Sequence, residues 1–341
     1  MSETIPSWAW AVLASPGSRK PLRSPNDLFD RSGRTIGRID NGVLRFALAD
    51  NDPSIAYYRD IGGAHFHERA AAPYAMSTLD TPVYHGYLRQ IAPRRRDSLI
   101  VDVGGGDGRN ALPWLEWGFK RVVVIDPVAA ALWRFRDRVA AQHPEWLDRL
   151  LLIEGDARAL PLRENSADRV LAIEALCYLN EDYEKGLREC RRIMQSGSTL
   201  LLSDRSYEGG LLTRLLYYGG IDALLEMGQS RKMSDGVGGK QVRTRCFTRE
   251  ELLATVKDEG FRVVEDSGIS MFALMLSFLS NIERLGETHE SRRGDVSKLL
   301  SHLGRTGAAR RCHVVIATRG RRPARANATR RTATKRRQRR S

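Results

Sequence analysis

Cysteine is scarce: the 341 residues contain four, Cys177, Cys190, Cys246 and Cys312, with no Cys-x-x-Cys pair. That excludes a disulfide scaffold and a thiolate zinc site, and it fits a reducing compartment. Long apolar runs are also missing. None reaches the roughly 20 residues that cross a bilayer, so no transmembrane segment is expected. The longest candidate, Ile269–Leu279, reads as a buried or interfacial helix. The apolar stretch Trp8–Ala14 follows Glu3 and no Lys or Arg, which argues against a signal peptide and for a cytoplasmic protein. Acidic and aromatic residues are absent from residues 319–341, which hold 11 Lys and Arg. The formal net charge is +14, from 55 Lys and Arg against 41 Asp and Glu, so residues 1–318 retain only +3. The basic character belongs to one tail.

What is present between residues 97 and 204 is an alternation of short Val/Ile/Leu-rich runs with helical patterns. Leu99–Val103, Arg121–Ile125, Leu150–Glu154, Arg169–Glu174 and Thr199–Ser203 read as strands. Ala111–Trp117, Ala129–Gln142 and Asp182–Met194 read as helices. This order implies an α/β fold, a Rossmann-like doubly wound and mostly parallel sheet with ligands beyond the carboxyl ends of its strands. Further on, Leu211–Met227 is helical, Asp235–Lys240 reads as a glycine-rich loop, and Thr248 with Glu251 forms a capping box that starts a helix. Phe261–Glu265 and His313–Thr318 read as the last strands, with a helical cap or lid between them.

The first strand leads into Asp102-Val103-Gly104-Gly105-Gly106-Asp107-Gly108, with Arg109 where a dinucleotide fingerprint would place its last glycine. Glycines let the backbone turn sharply and approach a ligand, and the neighbouring Asp102 suits a ligand with a positive group. This run resembles motif I of the class I S-adenosylmethionine-dependent methyltransferases, of the type 11-like subgroup. The resemblance continues through Val123-Val124-Ile125-Asp126, Glu154-Gly155-Asp156-Ala157, Leu160-Pro161-Leu162, Arg191-Arg192-Ile193-Met194 and Phe247-Thr248, and covers residues 97–318.

The resemblance implies S-adenosylmethionine as cofactor and no metal. It places Gly104, Gly105, Gly106 and Gly108 beneath the methionine and ribose, and Asp102 toward the amino group. Asp126 would accept from the ribose hydroxyls, Asp156 from the adenine amino group, with the Ala157 N–H at the ring and Glu174 at the same edge. Methyl transfer mainly requires alignment of the reactants, so motif I does not identify the acceptor. The segment Glu174-Ala175-Leu176-Cys177-Tyr178-Leu179 lacks the Asn/Asp-Pro-Pro-Tyr run of many adenine and glutamine N-methylating enzymes, and Cys177 lacks the Pro-Cys context of cytosine C5 enzymes. A small-molecule acceptor, methylated at O, N or C, is therefore expected. His65, His67, Glu174 and Asp204 are candidate bases, with Glu68, Tyr74, Tyr84, His85, Arg205, Tyr207, Tyr217 and Tyr218 as further pocket candidates. Core or surface packing is the competing reading for each of them, and the stronger one for the histidines.

Residues 1–50 are similar to a zinc-ribbon module found before some methyltransferase domains, but Ser15, Ser18 and Ser32 stand at cysteine positions. Serine hydroxyls are poor zinc ligands, so the resemblance implies a metal-free relic; an unrelated β-rich arm stays open. The expected organisation is this segment, a helical lid or linker at 51–96, the methyltransferase domain at 97–318 with cap insertions at 206–246 and 268–310, and a disordered tail at 319–341. That tail suits nucleic-acid phosphates or an anionic surface, or is merely solvated. Two alternatives remain: an RNA- or protein-directed methyltransferase recruited by the tail, and a non-catalytic cofactor-binding module.

Overall fold

Strands made of continuous apolar runs need a covering layer on each face, and the computed structural model of the chain supplies both. It describes residues 5–29, 32–48, 52–61, 76–217, 221–237, 240–281, 293–306 and 309–320. The strands are β1 (Gly37–Asp40), β2 (Val43–Phe46), β3 (Leu99–Val103), β4 (Arg121–Asp126), β5 (Leu150–Glu154), β6 (Ala167–Ile173), β7 (Met194–Arg205), β8 (Lys232–Val237), β9 (Lys240–Arg245), β10 (Phe261–Ser270) and β11 (Arg310–Arg319). Nine of them form one sheet in the order β1-β2-β5-β4-β3-β6-β7-β11-β10. The pairings from β2 to β7 are parallel, and β11 runs antiparallel to both β7 and β10. Strand order reverses at β3, which puts the turn after Val103 at the switch point where such sheets bind ligands.

The helices are α1 (Pro53–Ile61), α2 (Met76–Ile91), α3 (Leu112–Glu116), α4 (Ala129–Gln142), α5 (Tyr183–Ile193), α6 (Tyr207–Tyr217), α7 (Ile221–Ser230), α8 (Arg249–Asp258), α9 (Met271–Asn281) and α10 (Arg293–Arg305). Side chains of β4 split between two cores, Val123 and Ile125 on one face, Val122 and Val124 on the other. The first core gathers the 5–28 segment, α5 and α8, including Leu13, Leu187 and Leu252. The second gathers α2, α3, α4, α9 and α10, including Tyr87, Trp114, Phe135, Ala273 and Leu300. Among the described residues no helix is long and apolar enough to cross a membrane.

Several expectations change. The Asp235–Lys240 loop is instead the closing part of a hairpin, with Gly236 opposite Gln241 and Val237 opposite Lys240. The helical piece at 211–227 is two helices, α6 and α7. β10 continues to Ser270, and α10 packs beside it, burying Leu300 in the second core, so it flanks the sheet. The N-terminal residues do not stand apart. β2 pairs in parallel with β5, placing Arg45 beside Glu154, and Arg163 donates to the carbonyls of Trp10, Leu13 and Leu22. β11 also runs one residue into the expected tail, where Arg319 donates to Asn165 and to the Met194 carbonyl. The rest of that tail lies outside the described residues.

Candidate functional site

After β3 the chain must reverse within a few residues at the carboxyl edge of the sheet. The Gly104 N–H donates to the Ile125 carbonyl at 2.7 Å, tying the turn to β4, and Gly108 N donates to Gly105 O at 2.9 Å. Gly106 has φ +53, and a Cβ built on it would meet nothing closer than Asp126 Oδ2 at 4.0 Å, so the space above this residue is open. Gly108 has φ +81, and its Cβ would lie 2.4 Å from the Phe135 ring. Gly108→Ala is therefore expected to combine backbone strain with overpacking, at about 2–4 kcal/mol. Gly118, with φ +84 and open surroundings, is the matched control; Gly118→Ala should cost only about 1 kcal/mol of strain. Thermal unfolding of the two variants distinguishes them, and equal losses would contradict the packing argument.

Two carboxylates flank this turn. Asp126 accepts from Gly106 N and Val128 N, both at 2.9 Å, one on each oxygen. Each oxygen keeps a lone pair for another donor. Burial pushes its carboxyl up to about 6, against the two backbone donors that favour the charged form. Asp102 is 1% exposed, and its Oδ2 is buried with no hydrogen-bond partner. Burial pushes its carboxyl up to about 7, with Arg109 acting in the opposite sense. This orphaned carboxylate oxygen lies against Gly105, beneath the turn, and lacks a cationic or N–H partner.

Asp156 already has partners within its own turn. Its Oδ1 accepts from Arg158 N at 2.8 Å, capping the 157–159 turn, and both oxygens accept from Arg158 Nε at 2.9 Å. Arg158 also reaches Asp52 at 2.7 Å and Asp182 at 3.5 Å, clasping the start of α1 and the 176–182 turn. The carboxylate expected to accept from adenine is thus already engaged. The Ala157 N–H begins the same turn at the end of β5.

Glu174, directly after β6, has φ +50, an uncommon backbone state for a side-chain-bearing residue. Ala175 beside it lies against Gly104, where an added Cβ would approach to 2.4 Å. Its carboxylate is clamped: Arg311 Nη2 and Nη1 donate at 2.8 and 3.1 Å, and Tyr84 Oη donates at 3.0 Å. Burial alone would raise its pKa, but the attraction and hydrogen bonds of Arg311, with Arg205 and Arg109 nearby, hold it well below the usual range. Arg311 also pairs with Asp80, whose carboxyl burial pushes up to about 6. Arg109 lies over the Tyr84 ring at 5.8 Å.

Asp204 is corrected from a pocket residue to an interior one. It is fully buried, accepts from Tyr183 Oη at 2.6 Å and Cys177 N at 3.1 Å, and burial pushes it up to about 7. It anchors the segment after β6. Cys177 is buried and its thiol is pushed well up, which removes it as a nucleophile. His85 is half-buried on α2, bonds the Arg109 carbonyl at 3.2 Å, and burial lowers its pKa. Arg205 lies over the Tyr178 ring and donates to its hydroxyl at 3.1 Å. Tyr207 donates to Gly228 O and Tyr217 to Ser277, both holding the cap together. His65, His67, Glu68, Tyr74 and Tyr218 lie outside the described residues. Sequence reasoning missed Asp80, Arg109 and Arg311; the one signal was a pair of arginines opening the apolar run of β11.

The model of a family described as "Methyltransferase domain" matches residues 101–202. The malonyl-[acyl-carrier protein] O-methyltransferase of Xylella fastidiosa is 30% identical over 152 residues, 44% of this chain and 43% of that protein. The chloroplastic 2-methyl-6-phytyl-1,4-hydroquinone methyltransferase of Spinacia oleracea is 32% identical over 120 residues, 35% of this chain and 33% of that one. The chain thus spans less than half the length of these relatives. A chain from the complex of the Haloferax volcanii Trm112 methyltransferase activator with a methyltransferase aligns at a TM-score of 0.50 and 18% identity, covering 78% of this chain and 99% of that one. An S-adenosylmethionine-dependent methyltransferase from Listeria monocytogenes aligns at 0.50 and 14% identity, covering 71% and 98%. At these identities the two structures speak for the fold.

Proposed function

We propose that this chain, whose residues 101–202 match the model of a methyltransferase domain, is an S-adenosylmethionine-dependent methyltransferase that transfers a methyl group to an O, N or C atom of a small-molecule acceptor. The observation that carries the cofactor half is the open face of Gly106 with Asp126 at its edge, and the orphaned Asp102 oxygen buried beneath the neighbouring Gly105. When bound, S-adenosylmethionine supplies an electrophilic methyl group on a sulfonium centre. Asp102 would orient the amino group of the methionine part, directly or through water, a partner that favours its charged form. The spare lone pairs of Asp126 accept the two ribose hydroxyls, while Gly106 N keeps the carboxylate aimed at them. The Ala157 N–H would meet the adenine ring. Asp156 reaches adenine only if Arg158 shares it.

The acceptor meets the cofactor beyond β6 and β7. Arg311 and Tyr84 fix Glu174 in its ionised form, so it orients groups and is a poor proton acceptor. Asp204 is sealed beneath the segment it anchors. Neither of these two carboxylates is placed to take a proton, and an acceptor that is already a nucleophile, such as a carboxylate, an enolate or a neutral amine, needs none taken by them. The small-molecule reading is supported by the missing Asn/Asp-Pro-Pro-Tyr run and by relatives named for malonyl-carrier and hydroquinone methylation. Incubation with methyl-labelled cofactor and fractionated cell extract tests it. Label in small metabolites is expected. Label in RNA or protein, lost on removing residues 319–341, would replace this reading with tail-directed recruitment, and no label in any fraction would favour a binding module.

A further inference from the structure

A cavity of about 310 Å³ opens between the N-terminal hairpin and α1, two strands along from Asp126. Arg38, Arg45, Arg59 and Glu154 line it, together with residues 35–37 and 46–48. At about 30 Å³ per water it has room for a small organic ligand. Because β2 runs parallel to β5 with Arg45 opposite Glu154, the residues after β2 rise past the carboxyl edge. The cavity therefore shares that edge with the glycine turn without belonging to it.

The three arginines are not equivalent. Arg45 is fully engaged, with Nε 2.5 Å from Glu154 Oε2, Nη1 2.7 Å from Asp40 Oδ2, and its guanidinium over the Trp133 ring at 5.2 Å. Arg38 comes no nearer than 4.0 Å to a carboxylate, and Arg59 no nearer than 3.8 Å. Among the described residues, neither of these guanidinium groups makes a hydrogen bond. They approach one space from two elements, Arg38 from β1 and Arg59 from α1. Among the described residues, three guanidinium groups face two carboxylates, Glu154 and Asp40, which leaves a surplus positive charge. That balance repels a metal cation and suits an anion, and paired planar donors match the oxygens of phosphate or carboxylate.

We propose that this cavity is a binding site for the oxyanion of a small molecule, a phosphate ester or a carboxylate, held between Arg38 and Arg59. An anion there bridges the hairpin to α1. The first turn of α1 is capped by Asp52, which Arg158 ties to Asp156. The site thus lies outside the methyl-transfer cleft but next to the elements that border it.

Calorimetric titration of the full chain with inorganic phosphate, and separately with acetate, tests the proposal at ionic strength held constant with sodium chloride. Saturable binding of at least one anion is expected, and the preferred one identifies the group. Arg38→Ala and Arg59→Ala should each weaken it by roughly tenfold or more, with unchanged circular dichroism and unchanged affinity for S-adenosylhomocysteine. Phosphate held by the basic tail would survive both substitutions, and that result would overturn the assignment. So would the absence of saturable binding by either anion. Neither readout depends on methyl transfer, so failure of the proposed activity leaves this outcome separately legible.

Discussion

Asp126→Ala is expected to weaken S-adenosylhomocysteine binding by roughly a hundredfold, about 3 kcal/mol. Two losses combine. The side chain supplies the acceptors for the ribose hydroxyls, and charge-assisted bonds of this kind contribute about 1.5–3 kcal/mol each. It also holds the Gly106 and Val128 N–H groups, so its removal loosens the turn itself. Asp126→Asn separates the two effects. One amide oxygen still accepts a backbone N–H, while the amide nitrogen replaces an acceptor with a donor. That variant should retain more of the fold's stability than alanine yet still bind poorly. Near-native affinity in both variants would reject the site assignment.

The second large effect is in pH. Without ligand, burial holds Asp102 up to about 7 and Asp126 up to about 6, so both carry protons a free carboxylate would have lost. A ligand with a cationic amino group favours their charged forms and must displace those protons. Cofactor affinity should therefore rise as pH increases through 6 to 7 and level off above. Below that range it should fall by up to about tenfold per pH unit for each protonated group. Asp102→Asn removes the component near 7 and lowers affinity at pH 8. Its effect on stability has the opposite sign. A folded pKa above the unfolded value gives stability that is present in acid and lost as pH rises through about 7. The unliganded Asp102→Asn variant should thus be more stable than the parent at pH 8, on the order of 2 kcal/mol, and indistinguishable at pH 4. Isothermal titration and thermal melts across this range read both. A flat affinity profile in the parent would mean that Asp102 does not face the ligand.

The sequence made the parallel core legible because β3 to β7 are buried on both faces and so become continuous apolar runs. It also exposed the glycine turn, where the local requirement for open backbone leaves a compositional mark. The β8–β9 hairpin was hidden because Lys232–Arg245 holds little apolar sequence, and the few side chains it buries, such as Met233 and Val242, make no periodic pattern. The place of the N-terminal hairpin at the sheet edge was equally invisible, since four-residue strands carry almost no periodicity. Glu174 shows the limit for chemistry. Its clamp joins it to Arg311, 137 residues away, and to Tyr84, 90 residues away. No local pattern records such partners. The partner of Asp156 was hidden for a different reason: Arg158 stands two residues away, but only the geometry of the turn shows that the two meet.

Binding of S-adenosylhomocysteine to the full, unmodified chain is the most direct test of the central claim. The open turn at Gly106 and the unpartnered Asp102 predict one saturable site of micromolar affinity that S-adenosylmethionine competes for and NAD does not. No saturable binding at millimolar ligand, or equal displacement by NAD, would contradict it.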